Sequence, residues 1–305
     1  MPPQRGKEGI DMSGEIVSVR ASDGVRLDGM YRKPEASAGN GLPVDVMVLH
    51  HGVGGNFYGS SPFESFAPRL LDNGCATLRV NNRGHDAVSN AVRDGVRTPF
   101  GAAYEIIDDA RMDWNAWLDF AEEQGYERIG VWGHSLGAVK SIYHAAVERD
   151  PRVTCVIAGS PPRFSYSFYS SVDTWGTEEE AGKRYNETCA LAQSYVDKGN
   201  ADQLIKVEFP VPLLVSAGTY VDKFGPAERY DVVKRIPEVT VPLFCIVGSA
   251  EPLEQFPFWG LPEELLRLDS EVENFTFAYI DGANHAHSEH RQEVWDVTEA
   301  WLRRL

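Results

Sequence analysis

Short apolar segments alternate with segments of helical periodicity over most of this chain, and this alternation limits the possible folds most strongly. The apolar segments predict strands at residues 44–49, 75–80, 128–132, 153–158, 241–247 and 275–280. The periodic segments predict helices at residues 63–73, 104–124, 136–148 and 288–305. Regular strand–helix alternation implies βαβ units, and therefore a doubly wound α/β fold with a mainly parallel sheet flanked by helices.

The alternation is interrupted once, between residues 161 and 236. That stretch is rich in aromatic and charged residues, with helical patterns at 178–198 and 227–235. We interpret it as a helical cap inserted over the carboxyl ends of the strands. Residues 15–160, which start with a predicted hairpin at 15–33, and residues 237–305 then form the two parts of one α/β core. One large domain with an insertion explains 305 residues better than two independent domains.

Composition restricts the partners. The chain has 45 acidic and 29 basic side chains, a net charge of −16 that repels phosphate backbones and anionic lipids. We expect neither nucleic-acid nor membrane binding, and no apolar run approaches the ~18 residues of a membrane span. Residues 1–14 lack the apolar core of a signal peptide. The four cysteines form no CxxC pair, so free thiols and a cytoplasmic location are expected.

A serine lies where a predicted strand passes into a predicted helix. Residues 133–137 read Gly-His-Ser-Leu-Gly, with Ser135 at the centre. Such a five-residue pattern arises by chance, but the strand–turn–helix setting is the one that a nucleophile elbow requires. Small flanking residues permit the tight turn and leave the hydroxyl exposed. Ser135 is therefore the candidate nucleophile, with a turn that carries no chemistry as the alternative.

A serine hydroxyl needs a base, and the base needs a group that orients it. His285, on the loop after the last predicted strand, is the preferred base, His287 is the second choice, and His290 is expected to be structural. On the loop after residues 241–247, Glu251 is the preferred acid and Glu254 the weaker candidate. The spacing of the three histidines does not favour a zinc site, so no metal is expected.

An oxyanion that forms during acyl transfer must be met by fixed N–H donors. The backbone N–H of Leu136 begins the helix after the serine. A second donor is expected from the loop after residues 44–49, most directly from Val53, with Gly52 and Gly54 letting the backbone approach closely. The loop lacks the GxGxxG order of a dinucleotide site, so no cofactor is expected.

With these residues the chain resembles the α/β-hydrolase superfamily from about residue 17 to its C-terminus. The order Ser135, Glu251, His285 matches the nucleophile–acid–histidine order of that family. His51-Gly52 after an early strand is similar to its oxyanion loop. A glutamate in place of the commoner aspartate is a small departure.

A further similarity is partial. Arg83-Gly84 after residues 75–80 is similar to the Asp-x-Arg-Gly-x-Gly turn of the family. Asn81 stands where an aspartate is frequent, and Asp86 stands where a glycine would be. This loop is therefore expected to be built differently from the family pattern.

The resemblance implies hydrolysis of esters, amides, thioesters or lactones, or C–C bond cleavage, and the serine argues against dehalogenases and epoxide hydrolases. We expect a carboxylic ester hydrolase that forms an acyl-enzyme. An amidase, peptidase, thioesterase, lactonase or C–C hydrolase with the same residues remains an alternative. So does a ligand-binding protein without turnover. A homo-oligomer is left open.

The substrate is expected to be a small molecule. Aromatic residues cluster in the predicted cap and after the oxyanion loop, and such residues can line an apolar pocket. The prediction is a substrate with an apolar or aromatic acyl or alcohol group. The residues concerned are Phe57, Tyr58, Phe164, Tyr166, Phe168, Tyr169 and Trp175.

Overall fold

The computed structural model describes residues 14–35, 41–59, 61–175 and 178–305. Of the polar segment 1–14, on which the expectation of no signal peptide depends, residues 1–13 lie outside this description. The described ranges contain fourteen strands and ten α-helices.

An eight-stranded sheet forms the centre of the fold, in the order β1-β2-β4-β3-β7-β8-β13-β14. Its last six strands run parallel, β2 is antiparallel to β4, and β1 is antiparallel to β2, so the predicted mainly parallel α/β sheet is confirmed. The other strands form three two-stranded hairpins. The strands are β1 (Glu15–Arg20), β2 (Arg26–Arg32), β3 (Val46–His50), β4 (Ala76–Val80), β5 (Ser89–Arg93), β6 (Val96–Phe100), β7 (Ile129–His134), β8 (Val153–Gly159), β9 (Thr174–Trp175), β10 (Glu178–Glu179), β11 (Leu204–Val207), β12 (Leu213–Ser216), β13 (Leu243–Gly248) and β14 (Phe275–Ile280).

Helices cover both faces of the sheet. Successive side chains of a strand point to opposite faces, and in β3 Val46 and Val48 join one hydrophobic cluster while Met47 and Leu49 join another. Helices α2, α3 and α9 contribute to the first cluster, and α1 and α10 to the second. The helices are α1 (Phe63–Asp72), α2 (Ala110–Glu123), α3 (Leu136–Val147), α4 (Tyr166–Tyr169), α5 (Ala181–Asp197), α6 (Ala217–Phe224), α7 (Val232–Arg235), α8 (Glu251–Glu254), α9 (Leu261–Glu271) and α10 (Arg291–Leu302).

Residues 161–236, the predicted cap, contain helices α4 to α7 and the hairpins β9–β10 and β11–β12, as far as the segment is described. Strands were not predicted there. Buried side chains of the segment, such as Phe164, Tyr185 and Phe224, belong to the same hydrophobic cluster as α2 and α3. The segment therefore packs directly on the helices of one sheet face.

The helix predicted at residues 104–124 begins only at Ala110. Upstream, the N–H of Ile107 donates to Asp222 Oδ2 (2.9 Å) and the N–H of Asp108 donates to the Tyr230 hydroxyl (3.0 Å). In a longer helix these two N–H groups would donate to backbone carbonyl oxygens one turn earlier. Here they donate to side chains of the predicted cap instead. The 3.6-residue pattern could not reveal this competition.

Other helices also differ from the sequence pattern, and the short helices α4, α6 and α8 were not predicted. The helix predicted at 227–235 is confined to α7, because Asp231 caps its start by accepting from the N–H of Val233 (3.1 Å). Helix α9 was not predicted, although Pro262 followed by Glu263 and Glu264 is a typical helix start. Hairpin β5–β6 was also missed.

A buried ion cluster ties three elements of the fold together. Arg83, on the loop after β4, donates to Asp113 of α2 (2.7 Å) and to Asp23 in the β1–β2 turn (2.9 Å). Its backbone N–H also donates to Asp113 (2.8 Å), and all three side chains are buried. The arginine of the Arg-Gly pair therefore fixes the loop between β4 and α2.

We expect Arg83→Gln to lower the free energy of unfolding by about 3–5 kcal/mol, because it leaves the Asp113 carboxylate buried without its cation. Urea unfolding measures this. The matched control is Arg26→Gln, which breaks a largely exposed pair with Asp28 and should cost less than ~1 kcal/mol. Equal losses in the two variants would contradict a structural role for the buried cluster.

Candidate active site

Ser135 occupies a one-residue turn between β7 and α3. Its backbone has φ 57° and ψ −124°, a conformation that L-residues rarely adopt. A Cβ on Gly133 would overlap the carbonyl oxygen of Gly137, and a Cβ on Gly137 would overlap that of His50. Any side chain at position 133 or 137 would therefore clash with the backbone, so the tight turn requires both glycines. This turn places Ser135 directly before the first residue of α3.

His285 lies between Ser135 and a carboxylate. Its Nε2 is 2.9 Å from Ser135 Oγ, and its Nδ1 is 2.7 Å from Oε2 of Glu251. A carboxylate only accepts hydrogen bonds, so Nδ1–H donates to Glu251 and Nε2 carries the lone pair that accepts from the serine hydroxyl. The structure thus brings together the three residues that were chosen from the sequence as nucleophile, base and acid.

Glu251 is fully buried at the start of α8, directly after β13. Its second oxygen, Oε1, accepts from the N–H of Gly248 (2.7 Å) and from the Ser160 hydroxyl (2.7 Å). These two donors fix the orientation of the carboxylate behind His285. Glu254, the other candidate, is exposed, so it does not share this environment.

His287 is linked to the Glu251 carboxylate through the Ser160 hydroxyl. Ser160 gives its one proton to Glu251, so it accepts from His287 Nε2–H at 3.0 Å. Burial lowers the pKa of His287 to about 4, and the ring is neutral at pH 7. The sequence had offered His287 as an alternative base and had not singled out Ser160; the structure places both in a chain that ends on Glu251.

His134, the residue directly before the serine, holds the loop that carries His285 in place. Its Nε2–H donates to the backbone carbonyl of His285 at 2.8 Å. Burial, with His285 and His287 nearby, holds the pKa of His134 well below its usual value, so the ring stays neutral. His290, expected to be structural, stands at the start of α10.

The loop of residues 51–54 follows β3 and lies against the serine. A Cβ on Gly52 would be 2.9 Å from Ser135 Cβ, so backbone without a side chain approaches the reacting centre. Gly54 has φ +62°, and Val53 lines the same cavity as Ser135 and Leu136. The first N–H groups of a helix have no intrahelical acceptor. The predicted donors Leu136 and Val53 thus border the serine, beside Gly52 and Gly54.

Residues 56–58, which follow this loop, are held by Asn81 and Asp86, the two departures from the family pattern. Asn81 Oδ1 accepts from the N–H of Phe57 (2.9 Å). Asp86 accepts from Asn56 Nδ2 and the Tyr58 hydroxyl, both at 2.7 Å. Burial alone would raise the pKa of Asp86, but these hydrogen bonds outweigh it and lower the pKa.

A cavity of about 230 Å³ opens beside Ser135 and His285. Of the predicted aromatic group, Phe164 lines it, whereas Tyr166 and Trp175 line other clefts and Tyr169 packs on Tyr185. The lining is mostly apolar and consists of Val53, Ser135, Leu136, Pro162, Phe164, Val211, Pro212, Leu213, Lys223, Phe224, Gln255, Pro257, Phe258 and His285.

Neither a metal-binding cluster nor a membrane-spanning helix is found in the described ranges. No group of three or more His, Cys, Asp or Glu side chains there is arranged to hold a metal ion. No helix in this part of the chain is both long and apolar enough to cross a membrane.

Comparison with known proteins identifies the family. The sequence model of the Alpha/beta hydrolase family matches residues 47–297, and the chain belongs to that family. Curated protein sequences gave no significant match.

Solved structures share the fold at low sequence identity. Est1E from Butyrivibrio proteoclasticus, solved with ferulic acid bound, has a TM-score of 0.65 and 17% identity, covering 94% of this chain and 98% of that one. An esterase from Pyrococcus furiosus has a TM-score of 0.59 and 19% identity, covering 96% and 92%. The α/β hydrolase GrgF from Penicillium has a TM-score of 0.66 and 15% identity, covering 95% and 98%. At these identities the likeness concerns the fold.

The buried histidines predict how stability depends on pH. Burial lowers the pKa values of His51, His144 and His287 to about 4. Between pH 7 and pH 5 the unfolded chain binds protons at these residues and the folded protein does not. The free energy of unfolding should therefore fall as the pH is lowered, by about 2 kcal/mol for each group.

Urea unfolding at pH 7 and pH 5 measures this fall, and His144→Gln is the comparison variant. Because His144 lies in α3, outside the hydrogen-bond chain around Ser135, the variant should lose only the share of this one histidine, so its fall in unfolding free energy between pH 7 and pH 5 should be about 2 kcal/mol smaller than that of the wild type. An unchanged difference between the two pH values would contradict a neutral buried His144.

Proposed function

We propose that this protein is a serine hydrolase that cleaves carboxylic esters through an acyl-enzyme intermediate. The observation that carries the proposal is the continuous hydrogen-bond chain from Ser135 Oγ through His285 to Glu251, at the edge of an apolar cavity. The base lies 2.9 Å from the nucleophile and 2.7 Å from the orienting acid, in the order that acyl transfer requires.

The proposed reaction has two stages, acylation of Ser135 and hydrolysis of the acyl-enzyme. Ser135 Oγ attacks the ester carbonyl carbon as its proton passes to Nε2 of His285, and Glu251 stabilises the imidazolium that forms. The N–H groups of Leu136 and Val53 donate to the oxyanion. The imidazolium then protonates the leaving alcohol. Water, deprotonated by His285, attacks the acyl-enzyme, and His285 returns that proton to Ser135 Oγ as the acid is released, so no step uses a cofactor.

The cavity supports a small substrate with an apolar acyl or alcohol group. Phe164, Phe224 and Phe258 are the aromatic side chains of its lining. Est1E, which shares the fold, was solved with ferulic acid, an aromatic carboxylic acid, and another protein of this fold is an esterase. These likenesses, with the apolar lining, favour esters in which the acid or the alcohol contributes an aromatic or aliphatic group.

Ser135→Ala should reduce kcat for an aryl ester such as p-nitrophenyl butyrate by ~10⁴-fold or more, because no nucleophile remains. Ser141→Ala is the control. Ser141 is buried in the same helix, where it donates to the Gly137 carbonyl at 2.8 Å, and it does not line the cavity. Its loss should leave kcat within a few-fold of wild type. Substantial turnover by the Ser135 variant would exclude the proposed mechanism, and cleavage of the matching anilide but not the ester would indicate an amidase.

Glu251→Gln should reduce kcat by about 10³–10⁴-fold, because an amide can donate to Nδ1 and so favour the wrong histidine tautomer. Glu254→Gln makes the same change three residues later at an exposed position and should stay within about twofold of wild type. Steady-state kinetics of the two variants, with thermal unfolding to verify folding, measures the contrast. Similar activities in both variants would remove Glu251 from the mechanism.

A further inference from the structure

One cation borders the cavity that holds the candidate active site. Lys223, in α6, lines this cavity together with Ser135 and His285, and the other lining side chains are apolar except for Gln255. Its side chain is only 2% exposed. Lysine is rarely buried to this extent without a partner that balances its charge.

Lys223, Lys140 and Glu105 form a buried group with two positive charges and one negative charge. Its Nζ lies 3.2 Å from Oε2 of Glu105, whose other oxygen is paired with Lys140. Burial alone would raise the pKa of Glu105, but the two ammonium groups outweigh it and lower that pKa, so the carboxylate is ionised. One carboxylate therefore serves two ammonium groups.

Two other carboxylates near these lysines, Asp113 and Asp222, are paired with arginines. Asp113 accepts from Arg83 in the buried cluster that fixes the β4–α2 loop. Asp222, next to Lys223 in α6, is paired with Arg229 and accepts from the N–H of Ile107. Neither of these carboxylates is therefore paired with Lys223.

The ammonium group also has unused hydrogen-bond capacity. An ammonium carries three protons, and the single oxygen of Glu105 can engage at most one of them. Nζ is buried and has no partner of normal hydrogen-bond geometry among the described residues. Buried donors are almost always satisfied in native proteins, so an acceptor on a bound ligand would complete this site.

We propose that Lys223 binds a carboxylate of the substrate, so that the preferred substrates are esters combining an apolar portion with one negative charge. This inference rests on the proposed ester hydrolysis. The apolar lining binds the hydrocarbon portion, and Lys223 pairs with the carboxylate in surroundings of low dielectric, where the attraction is strong. The preference is local, because the protein as a whole is acidic and repels anions at long range.

The first test compares two aryl esters with the same six-carbon diacid chain, the aryl monoester of adipic acid and the same ester with its free carboxylate converted to a methyl ester, and follows release of the aryl alcohol. The measured quantity is the ratio of kcat/KM for the anionic ester to kcat/KM for the neutral one. Lys223→Gln should lower this ratio about 10- to 100-fold, as expected for a lost charge-assisted hydrogen bond. Lys223→Arg keeps the positive charge, so this variant should retain most of the preference for the anionic ester.

Lys206→Gln is the control for charge alone. Lys206 is 80% exposed and does not line the cavity, so its removal should change the ratio less than twofold. If Lys223 only links α6 to α3 through Glu105, Lys223→Gln will lower kcat/KM for both esters equally and leave the ratio unchanged. That result would overturn the inference.

A binding measurement separates this inference from the proposed function. Calorimetry on Ser135→Ala, which needs no turnover, compares 4-phenylbutyrate with 4-phenylbutyramide. The carboxylate should bind more tightly, and adding Lys223→Gln should abolish the difference. Equal binding of both probes would reject the role of Lys223 even if esters are hydrolysed, whereas preferential binding without any hydrolysis would reject the esterase instead.

Discussion

The turn at Ser135 is the constraint on which the rest of the site depends. Strand β7 ends and helix α3 begins with a single residue between them, and that residue has a positive φ of 57°. The turn is possible because Gly133 and Gly137 lack side chains where the backbone of β7, α3 and His50 converges. One arrangement therefore presents the serine hydroxyl, the first N–H of α3 and the neighbouring loop to the same cavity.

Parallel strands bring the remaining groups to this turn. Because β3, β7, β8, β13 and β14 run in the same direction, the loops at their carboxyl ends meet at one edge of the sheet. Ser160 after β8, Glu251 after β13 and His287 after β14 form a buried chain of hydrogen bonds behind His285. Each member has a defined donor or acceptor role, so the orientation of the His285 ring follows from groups that the substrate does not contact.

Patterns along the chain predicted the parts of the protein that depend on local sequence. Apolar runs located the parallel strands, and the position of polar residues after those strands selected Ser135, Glu251 and His285, which the structure places within hydrogen-bond distance. Ser160 and Lys223 were missed because their surroundings come from distant segments. A lysine in an amphipathic helix is normally exposed, and only the packing of α6 shows that Lys223 is buried. The late start of α2 likewise depends on side chains more than a hundred residues away.

The proposed mechanism requires that His285 activate Ser135 as a nucleophile. A fluorophosphonate probe tests it directly, because the serine oxygen displaces fluoride and leaves a stable phosphonyl group that mass spectrometry can locate. We expect a single adduct on the peptide containing Ser135, and a labelling rate that falls by orders of magnitude in His285→Ala. An adduct at another residue, no adduct, or labelling as fast without His285 would contradict it.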